Sequence, residues 1–313
     1  MNLFDAYRYL AALAQHRHFG RAAAACHITQ PALSNALRAL ESHLDVAIVR
    51  RGRQYEGLTP EGEQVLASAH RVLREQEALR QELAGSADLP RGRLVIGAVP
   101  TAVPVAARFA GWLVERHPGL NPQVRSLASQ EIETGLLSLA IDIGLGYTER
   151  AGAGAQTWPQ YIEHYFLLRR ARRAGSPFRF GAPMTWAEAA SLPLAMLTPE
   201  MHNRANLDRA FRSQGAEVVP VLETNSVMAL LVALQGSALA AVLPGAVVAT
   251  VAGQRGLEAL PLVDPEMRTP IGFMSADSGS ARRSRALEAA LRLAVDDEWL
   301  AHVAAHSGPL GTG

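Results

Sequence analysis

Residues 19–34 read Phe19-Gly20-Arg21-Ala22-Ala23-Ala24-Ala25-Cys26-His27-Ile28-Thr29-Gln30-Pro31-Ala32-Leu33-Ser34. Gly20 to Ala25 is short, alanine-rich and helix-forming, and His27-Ile28 makes a tight turn. Thr29 is a good helix N-cap, and Pro31 is tolerated in the first helical turn, where the amide it lacks would be unpaired. Leu33, Ala36, Leu37, Leu40 and Leu44 then form one apolar stripe, which predicts a second helix to about residue 44. Short helix, tight turn and longer helix make a helix-turn-helix. Burying the stripe turns Gln30, Ser34, Asn35, Arg38 and Glu41 outward. Four of these five carry donors for base edges or phosphates: the amides suit adenine, the guanidinium guanine, the hydroxyl either. The N-terminal end of the second helix of such a motif is the part that meets bases.

The flanks extend this reading. Asn2 can cap a first helix, with Asp5 in its first turn and Leu3, Tyr7, Leu10, Ala11 and Ala14 at helical spacing, until His16 to Phe19 breaks the pattern. After the second helix, Val46–Arg51 and Tyr55–Leu58, joined by Gly52-Arg53, predict a small β-wing. Arg50, Arg51 and Arg53 on the wing, helped by Arg21, are placed for phosphate. Residues 1–60 hold seven Arg against four acids, +3 before any His, a modest footprint concentrated where it is needed. Thr59-Pro60-Glu61-Gly62-Glu63 is a strong helix start, and the helix is expected to stop at Gly85-Ser86. Within it Val65, Ala69, Val72, Gln76, Leu79 and Leu83 repeat at 4-3-4-3-4, widened by Leu66 and Leu73, a heptad seam that wants the same helix from a second subunit.

Composition bounds the rest. The 313 residues suggest two or three domains, and 49% hydrophobic with 19% charged residues is ordinary for a globular protein. All 30 basic residues are Arg, against 29 acids, for a net charge of +1, which excludes a globally basic nucleic-acid binder but not a local basic patch. The single cysteine, Cys26, excludes an intramolecular disulfide framework and a cysteine-rich zinc site. No charged-then-apolar signal opens the chain, and no apolar run reaches about 18 residues without a break, so a soluble, cytoplasmic protein is expected.

Beyond Leu89-Pro90 the pattern changes. Strands at about 94–99, 122–127 and 141–144 alternate with helices at about 103–116 and 129–138, which means βαβ units and a mostly parallel sheet. A second set follows: strands 161–168 and 194–197, helix 200–213, strand 217–222, helix 226–234 and strand 239–243. Strands near 257–262 and 270–275 and a helix at about 281–304 close the chain. The fold class is therefore α/β, with two lobes and the last strand and helix returning to the first lobe.

The 19–34 run, followed by Leu40-Glu41 and Leu58-Thr59-Pro60-Glu61-Gly62, closely resembles LysR-type transcriptional regulators, and the likeness covers essentially the whole chain. Two residues depart from the family pattern, Asp45 in place of Gly and Val49 in place of Phe, both at the helix-to-wing corner. The resemblance implies a winged helix-turn-helix over residues 1–58, a linker and dimerisation helix over 59–89, and a two-lobed effector domain over 90–306, similar to periplasmic binding proteins. Lobe I would take about 90–160 and 267–304, and lobe II about 161–266. It implies a DNA role for Thr29, Gln30, Pro31, Ser34, Asn35 and Arg38 on the recognition helix and for Arg21, Arg50, Arg51 and Arg53 around it. The implied partners are promoter DNA, further copies of the same chain (a dimer, then a tetramer), RNA polymerase and a small-molecule effector; no cofactor, metal or membrane is expected.

Open α/β sheets bind ligands outside the carboxyl ends of their strands, and a helix N-terminus offers amides to an anion. Thr101, with Ala102 after it, stands at such a place and is the first candidate effector residue; Ser129 is the second. In the other lobe Thr198, His202, Asn203 and Arg204 stand where one helix opens, and Asn225 where another does. Each of these residue types is also an ordinary cap. The cluster predicts a cleft for a small polar anion, a carboxylate or an inorganic ion. The run Thr198-Pro199-Glu200-Met201-His202-Asn203-Arg204 looks like a subgroup of LysR regulators sited beside formate dehydrogenase genes, which implies formate metabolism as a target.

Other features carry less. Gly144-Leu145-Gly146 lacks the third glycine of a dinucleotide loop, and no Gly-x-Ser-x-Gly elbow exists, so an enzyme is not expected. His302 and His306 are four apart on the last helix but read as a solvated face, as do Asp296-Asp297-Glu298. Cys26 reads as a small buried hydrophobe, with a redox-sensing thiol as the alternative. The rival reading of the chain as a whole, a small-molecule binding protein with no DNA role, leaves the residues from Gln30 to Arg53 unexplained.

Overall fold

The computed structural model describes residues 2–51, 55–83, 90–152, 154–173, 175–276 and 283–307. The chain divides into two compact units, one of Met1–Leu89 with Thr134–Ile141 and Ser278–Arg285, the other of Pro90–Glu133, Asp142–Asp277 and Ala286–Gly313.

The first unit opens with α1 (Leu3–His16), α2 (Phe19–Ala25) and α3 (Gln30–Leu44). Asn2 caps α1 by accepting from the Phe4 amide. His18 caps α2: its Nδ1 accepts from the Gly20 and Arg21 amides at 3.0 and 3.3 Å. Thr29 caps α3 by accepting from the Ala32 amide at 3.4 Å. Leu33, Leu37 and Leu40 of α3 pack against Leu10 and Leu13 of α1 and Ala22 and Ala23 of α2, all buried. Each leucine buried there contributes about 2 kcal/mol, which holds together helices too short to be stable alone. α3 ends at Asp45, whose φ of 54° is left-handed. Asp tolerates that conformation better than most side chains, so it serves where Gly otherwise would.

The wing is β1 (Val49–Arg51) paired antiparallel with β2 (Tyr55–Leu58). Its first strand is shorter than the expected 46–51, because Glu41 Oε1 accepts from the Ile48 and Val49 amides at 2.9 and 3.1 Å and turns the chain there. The turn Gly52-Arg53 lies outside the described residues. α4 follows (Pro60–Leu83), capped by Thr59, whose hydroxyl accepts from the Gly62 amide at 2.9 Å and donates to the Ala47 carbonyl at 2.5 Å. Val65 and Leu66 join the core of the first unit, whereas Val72 and Leu79 on the same seam are exposed. The Leu83 side chain and the Gly85-Ser86 stop lie outside the described residues.

In the second unit β3 (Gly92–Ala98), α5 (Val103–Arg116), β4 (Leu120–Ser126), α6 (Ser129–Leu137), β5 (Ile143–Tyr147) and β6 (Ala155–Glu163) follow in order. Then come β7 (Tyr165–Arg170), β8 (Arg179–Phe180), β9 (Met184–Thr185), α7 (Trp186–Ala190), β10 (Ala195–Leu197), α8 (His202–Ser213) and β11 (Leu222–Thr224). Last are α9 (Val227–Gly236), β12 (Ala240–Pro244), α10 (Gly245–Val251), β13 (Leu257–Val263), β14 (Thr269–Ala276), α11 (Arg285–Ala294) and α12 (Asp297–Ser307). One sheet runs β4-β3-β5-β14-β6, so the late strand β14 sits between β5 and β6. The other runs β12-β7-β13-β8, with a parallel β10-β11 pair bridged to it at Leu194 and Ala240. β6 and β14 are the strands by which the chain leaves and re-enters the first sheet.

Three expected elements resolve differently. The single strand expected over 161–168 is two, broken at His164, whose carbonyl accepts from the Gly245 amide at 3.0 Å. The strand expected over 217–222 shrinks to Leu222–Thr224, the part that pairs with β10; Val219 and Val221 before it are exposed. The closing helix splits because Asp296 starts a new one, accepting from the Trp299 amide at 3.0 Å. Trp299 is fully buried and donates through Nε1 to Gln160 Oε1 at 2.7 Å, which ties α12 to β6. Among the described residues no helix is long and apolar enough to cross a membrane.

Candidate functional site

In the first unit, α3 carries its leucines inward and leaves Gln30, Pro31, Asn35 and Arg38 exposed, with Ser34 half-buried. Arg38 Nη1 donates to Asn35 Oδ1 at 3.1 Å, so two of the base-reading candidates hold one another in register. Thr29 is exposed at the start of the helix, and its hydroxyl is engaged by the cap. Arg21 on α2 and Arg50 on β1 are exposed too. Of Arg51 only the backbone, in β1, is described, and Arg53 lies outside the described residues. Glu41 corrects the outward reading: its carboxylate faces the wing backbone and locks the end of α3 to β1. The wing also passes close over α4, since a Cβ at Gly62 would lie 2.1 Å from the Ile48 carbonyl oxygen. Cys26, half-buried at the end of α2, has its thiol pushed up by burial, with a smaller opposing pull from Arg8.

In the second unit the carboxyl end of β5 meets the start of α8. Thr101 is 0% exposed in the turn Pro100–Ala102 that leads into α5, and Ala102 is buried beside it. Ser129 is buried at the start of α6. Tyr147 closes β5 and is buried, its ring 4.6 Å from that of His202. His202 Nε2 lies 3.2 Å from Glu149 Oε1. Burial lowers the His202 pKa, and Arg150 and Arg209 add to that, against the Glu149 carboxylate. Asn203, the next residue, is buried.

A residue that the sequence reading missed lies among these. Glu163 ends β6 opposite Thr269 of β14 and is 0% exposed. The Tyr165 hydroxyl donates to Glu163 Oε2 at 3.1 Å and lies 3.4 Å from Thr269 Oγ1. Burial pushes the Glu163 carboxyl up to about 7, against the Tyr165 and Thr101 hydroxyls. Burial, then the Glu163 charge, pushes Tyr147 and Tyr161 well above the usual phenol range. The Thr101 hydroxyl is close enough to steady both Tyr147 and Glu163, and Asn203 close enough to steady Tyr147, yet none of these approaches closes as a hydrogen bond. Among the described residues, six buried polar atoms gathered here have no partner: Thr101 Oγ1, Ser129 Oγ, Tyr147 OH, Tyr161 OH, Glu163 Oε1 and Asn203 Nδ2. Native proteins leave few such groups, so a cluster of them marks a place built to meet something. A notch of about 10 Å³ beside them, lined by Ser129, Tyr147, Val99, Met274 and the Arg150–Glu133 ion pair, has room for about one water. One signal was in the sequence: strand alternation puts Tyr161, Glu163 and Tyr165 on one face, an acid between two aromatics.

Three other candidates do not join the cluster. Thr198 donates to Glu200 Oε1 at 2.6 Å, and α8 begins at His202, past the expected start. Arg204 is buried but engaged: Nε donates to Asp208 Oδ1 at 2.9 Å, and Nη1 to the Leu197 carbonyl at 2.9 Å and to Glu223 Oε1 at 2.5 Å. Asn225 is exposed, and the start of α9 is capped by Ser226 instead. Among the described residues no group of three His, Cys, Asp or Glu could hold a metal. His302 packs against Trp112 and Trp299 at 5.0 and 6.0 Å, and the His306 side chain lies outside the described residues.

Two family models match this chain. "Bacterial regulatory helix-turn-helix protein, lysR family" matches residues 4–63, and "LysR substrate binding domain" matches residues 87–297. A probable hydrogen peroxide-inducible genes activator of Mycobacterium xenopi is 35% identical over 161 residues, 51% of this chain and 85% of that protein. An SDS degradation transcriptional activation protein of Pseudomonas sp. (strain ATCC 19151) is 33% identical over 211 residues, 62% of this chain. The chain spans only 64% of the length of that second relative. A full-length OxyR from Pseudomonas aeruginosa, solved as a point variant, shares the fold, with a TM-score of 0.66 at 24% identity over 92% of this chain and 96% of that one.

Proposed function

Because the chain belongs to the LysR family of bacterial transcriptional regulators, we propose that it binds promoter DNA through α3 and the wing and answers a small effector in the second unit. One observation carries the DNA reading: Gln30, Asn35 and Arg38 stand exposed above the fully buried Leu33, Leu37 and Leu40. Arg38 and the amides are assigned to base edges, and Arg21, Arg50, Arg51 and Arg53 to phosphate. α4 is assigned to pairing with its copy, supported by the exposure of Val72 and Leu79 on its seam. A tetramer and contact with RNA polymerase complete the proposal.

The effector site is assigned to the cluster of Thr101, Ala102, Ser129, Tyr147, His202 and Asn203. Neutral donors at the starts of α5, α6 and α8 support a small anion, a carboxylate or inorganic ion, held without a formal cation. Formate, and control of formate metabolism, is the specific form of this reading. Peroxide sensing by thiol oxidation is not adopted: residues 87–297 contain no cysteine, and burial pushes the Cys26 thiol up rather than toward the reactive thiolate.

The test is footprinting of the full chain on the DNA upstream of its own gene at about 100 mM salt. Specific protection is expected. Arg38→Ala should cut the ratio of specific to non-specific affinity by about tenfold to a hundredfold. No specific protection, or an unchanged ratio in that variant, would sink the assignment of α3.

A further inference from the structure

The effector cluster contains a carboxyl that a site for anions should avoid. Glu163 Oε1 is buried and unpartnered among the hydroxyls and amide proposed to meet the ligand. Among the described residues no cation is bonded to it. Elsewhere in the same unit a buried carboxyl is handled differently: Glu258 accepts from Arg169 Nε at 3.0 Å and Arg179 Nη2 at 2.8 Å. Burial alone would raise Glu258, but those two guanidiniums hold it below the usual carboxylate range. Glu163 instead has the Tyr165 hydroxyl at bonding distance.

The titratable groups that feel Glu163 are Tyr161 on its own strand, Tyr165 on β7 and Tyr147 on β5. Thr101 ahead of α5 and Thr269 on β14 are neutral neighbours. The other ionisable residues at the edges of these elements face elsewhere: His202 lies against Glu149, Arg150 pairs with Glu133, and His164 lies against Glu266. With burial unopposed by a cation, the Glu163 carboxyl is pushed up to about 7 and is neutral below that. A neutral carboxyl has an O–H to donate.

We propose that Glu163 is a proton-bearing specificity residue of the effector cleft. In its neutral form it completes, with Thr101, Tyr147, Tyr161 and Asn203, a set of uncharged donors that accepts a small anion; ionised, it repels that anion. This rests on the reading of the cleft as an anion site given above. It makes effector capture proton-linked, so anion and proton arrive together. It also places that proton where the chain leaves the first sheet by β6 and re-enters it by β14, at the Glu163–Thr269 pair.

The experiment is a calorimetric titration of the full chain with sodium formate, then sodium nitrate, at about pH 6 and about pH 8. Ammonium chloride is the contrasting probe. The wild-type Kd for formate should rise about tenfold between the two pH values. In Glu163→Gln the Kd should be the same at both. Tyr165→Phe removes the hydroxyl that steadies the carboxylate, so it should move the midpoint of the pH dependence upward, which loss of packing would not do. A wild-type Kd indifferent to pH, or a slope that survives in Glu163→Gln, overturns the proposal and leaves the anion site standing. Ammonium that binds as tightly as formate at about pH 6, where the carboxyl is neutral, overturns the proposal as well. If neither anion binds at either pH, the anion reading itself fails and this inference falls with it.

Discussion

The reading head and the effector cleft use polar side chains in opposite ways. In the head the capping and bracing polar side chains are matched within a few residues or across one tight corner. His18 and Thr29 cap their own helices, Thr59 caps α4, and Glu41 takes two wing amides. What is left over points to solvent, and that remainder is the proposed DNA face. In the cleft the remainder points inward: the unpartnered atoms of Thr101, Tyr147, Tyr161, Glu163 and Asn203 are buried. A rigid head presents a fixed pattern to a rigid duplex. A cleft with unmet polar groups has free energy available to whatever meets them, which is what a switch requires.

The contrast predicts that the head should fail by steric damage and the cleft by loss of a proton. The largest effect is expected from Gly62→Ala. Its Cβ would meet the Ile48 carbonyl oxygen at 2.1 Å, and that oxygen belongs to the backbone, so the wing or the start of α4 must move. We expect a loss of about 3 kcal/mol from the head and no specific footprint. Thermal unfolding with footprinting checks it, and a head of wild-type stability and footprint would break the comparison on this side.

The next effect is the pH dependence of stability in the second unit. The Glu163 carboxyl is raised in the folded state from 4.5 to about 7. Its contribution is therefore fully present below about pH 4.5 and is lost as the pH rises through about 7. Above both values the loss comes to about 3 kcal/mol. Denaturant unfolding of wild type and Glu163→Gln across that range should show the difference between them closing by this amount as the pH falls. Parallel profiles would show that Glu163 is not protonated in the fold.

The same contrast explains what could be read from the sequence. The head is written locally: a leucine stripe, a threonine cap and a proline in the first turn fix α3 to the residue, because helix periodicity and capping act within a few positions. His18 as a cap was hidden, because histidine rarely plays that part. The cleft depends on contacts between distant segments, such as Thr101 with Tyr147 and Glu163. Thr101, Ser129 and Asn203 were recognisable as residues at helix starts. Arg204 was recognisable too, but its engagement by Asp208 and Glu223 depends on how α8 lies against β11. The breaks at His164 and Asp296 were invisible for a similar reason: each is made by what the chain meets there, the Gly245 amide and the Trp299 anchor.

The smallest effect separates the two kinds of arginine in the head. Arg38 is braced by Asn35 on the face proposed to meet bases, whereas Arg50 is exposed on the wing. A phosphate contact releases condensed counterions whatever the sequence, so Arg50→Ala should weaken specific and non-specific DNA by the same factor. It should also reduce the slope of log affinity against log salt by about 1. The ratio of the two affinities should stay as in the wild type, unlike that of Arg38→Ala. Affinities on operator and scrambled duplexes over a salt series measure both quantities. A change in the ratio would move Arg50 from the phosphate to a base edge, and the wing would then be part of the sequence-reading surface rather than its clamp.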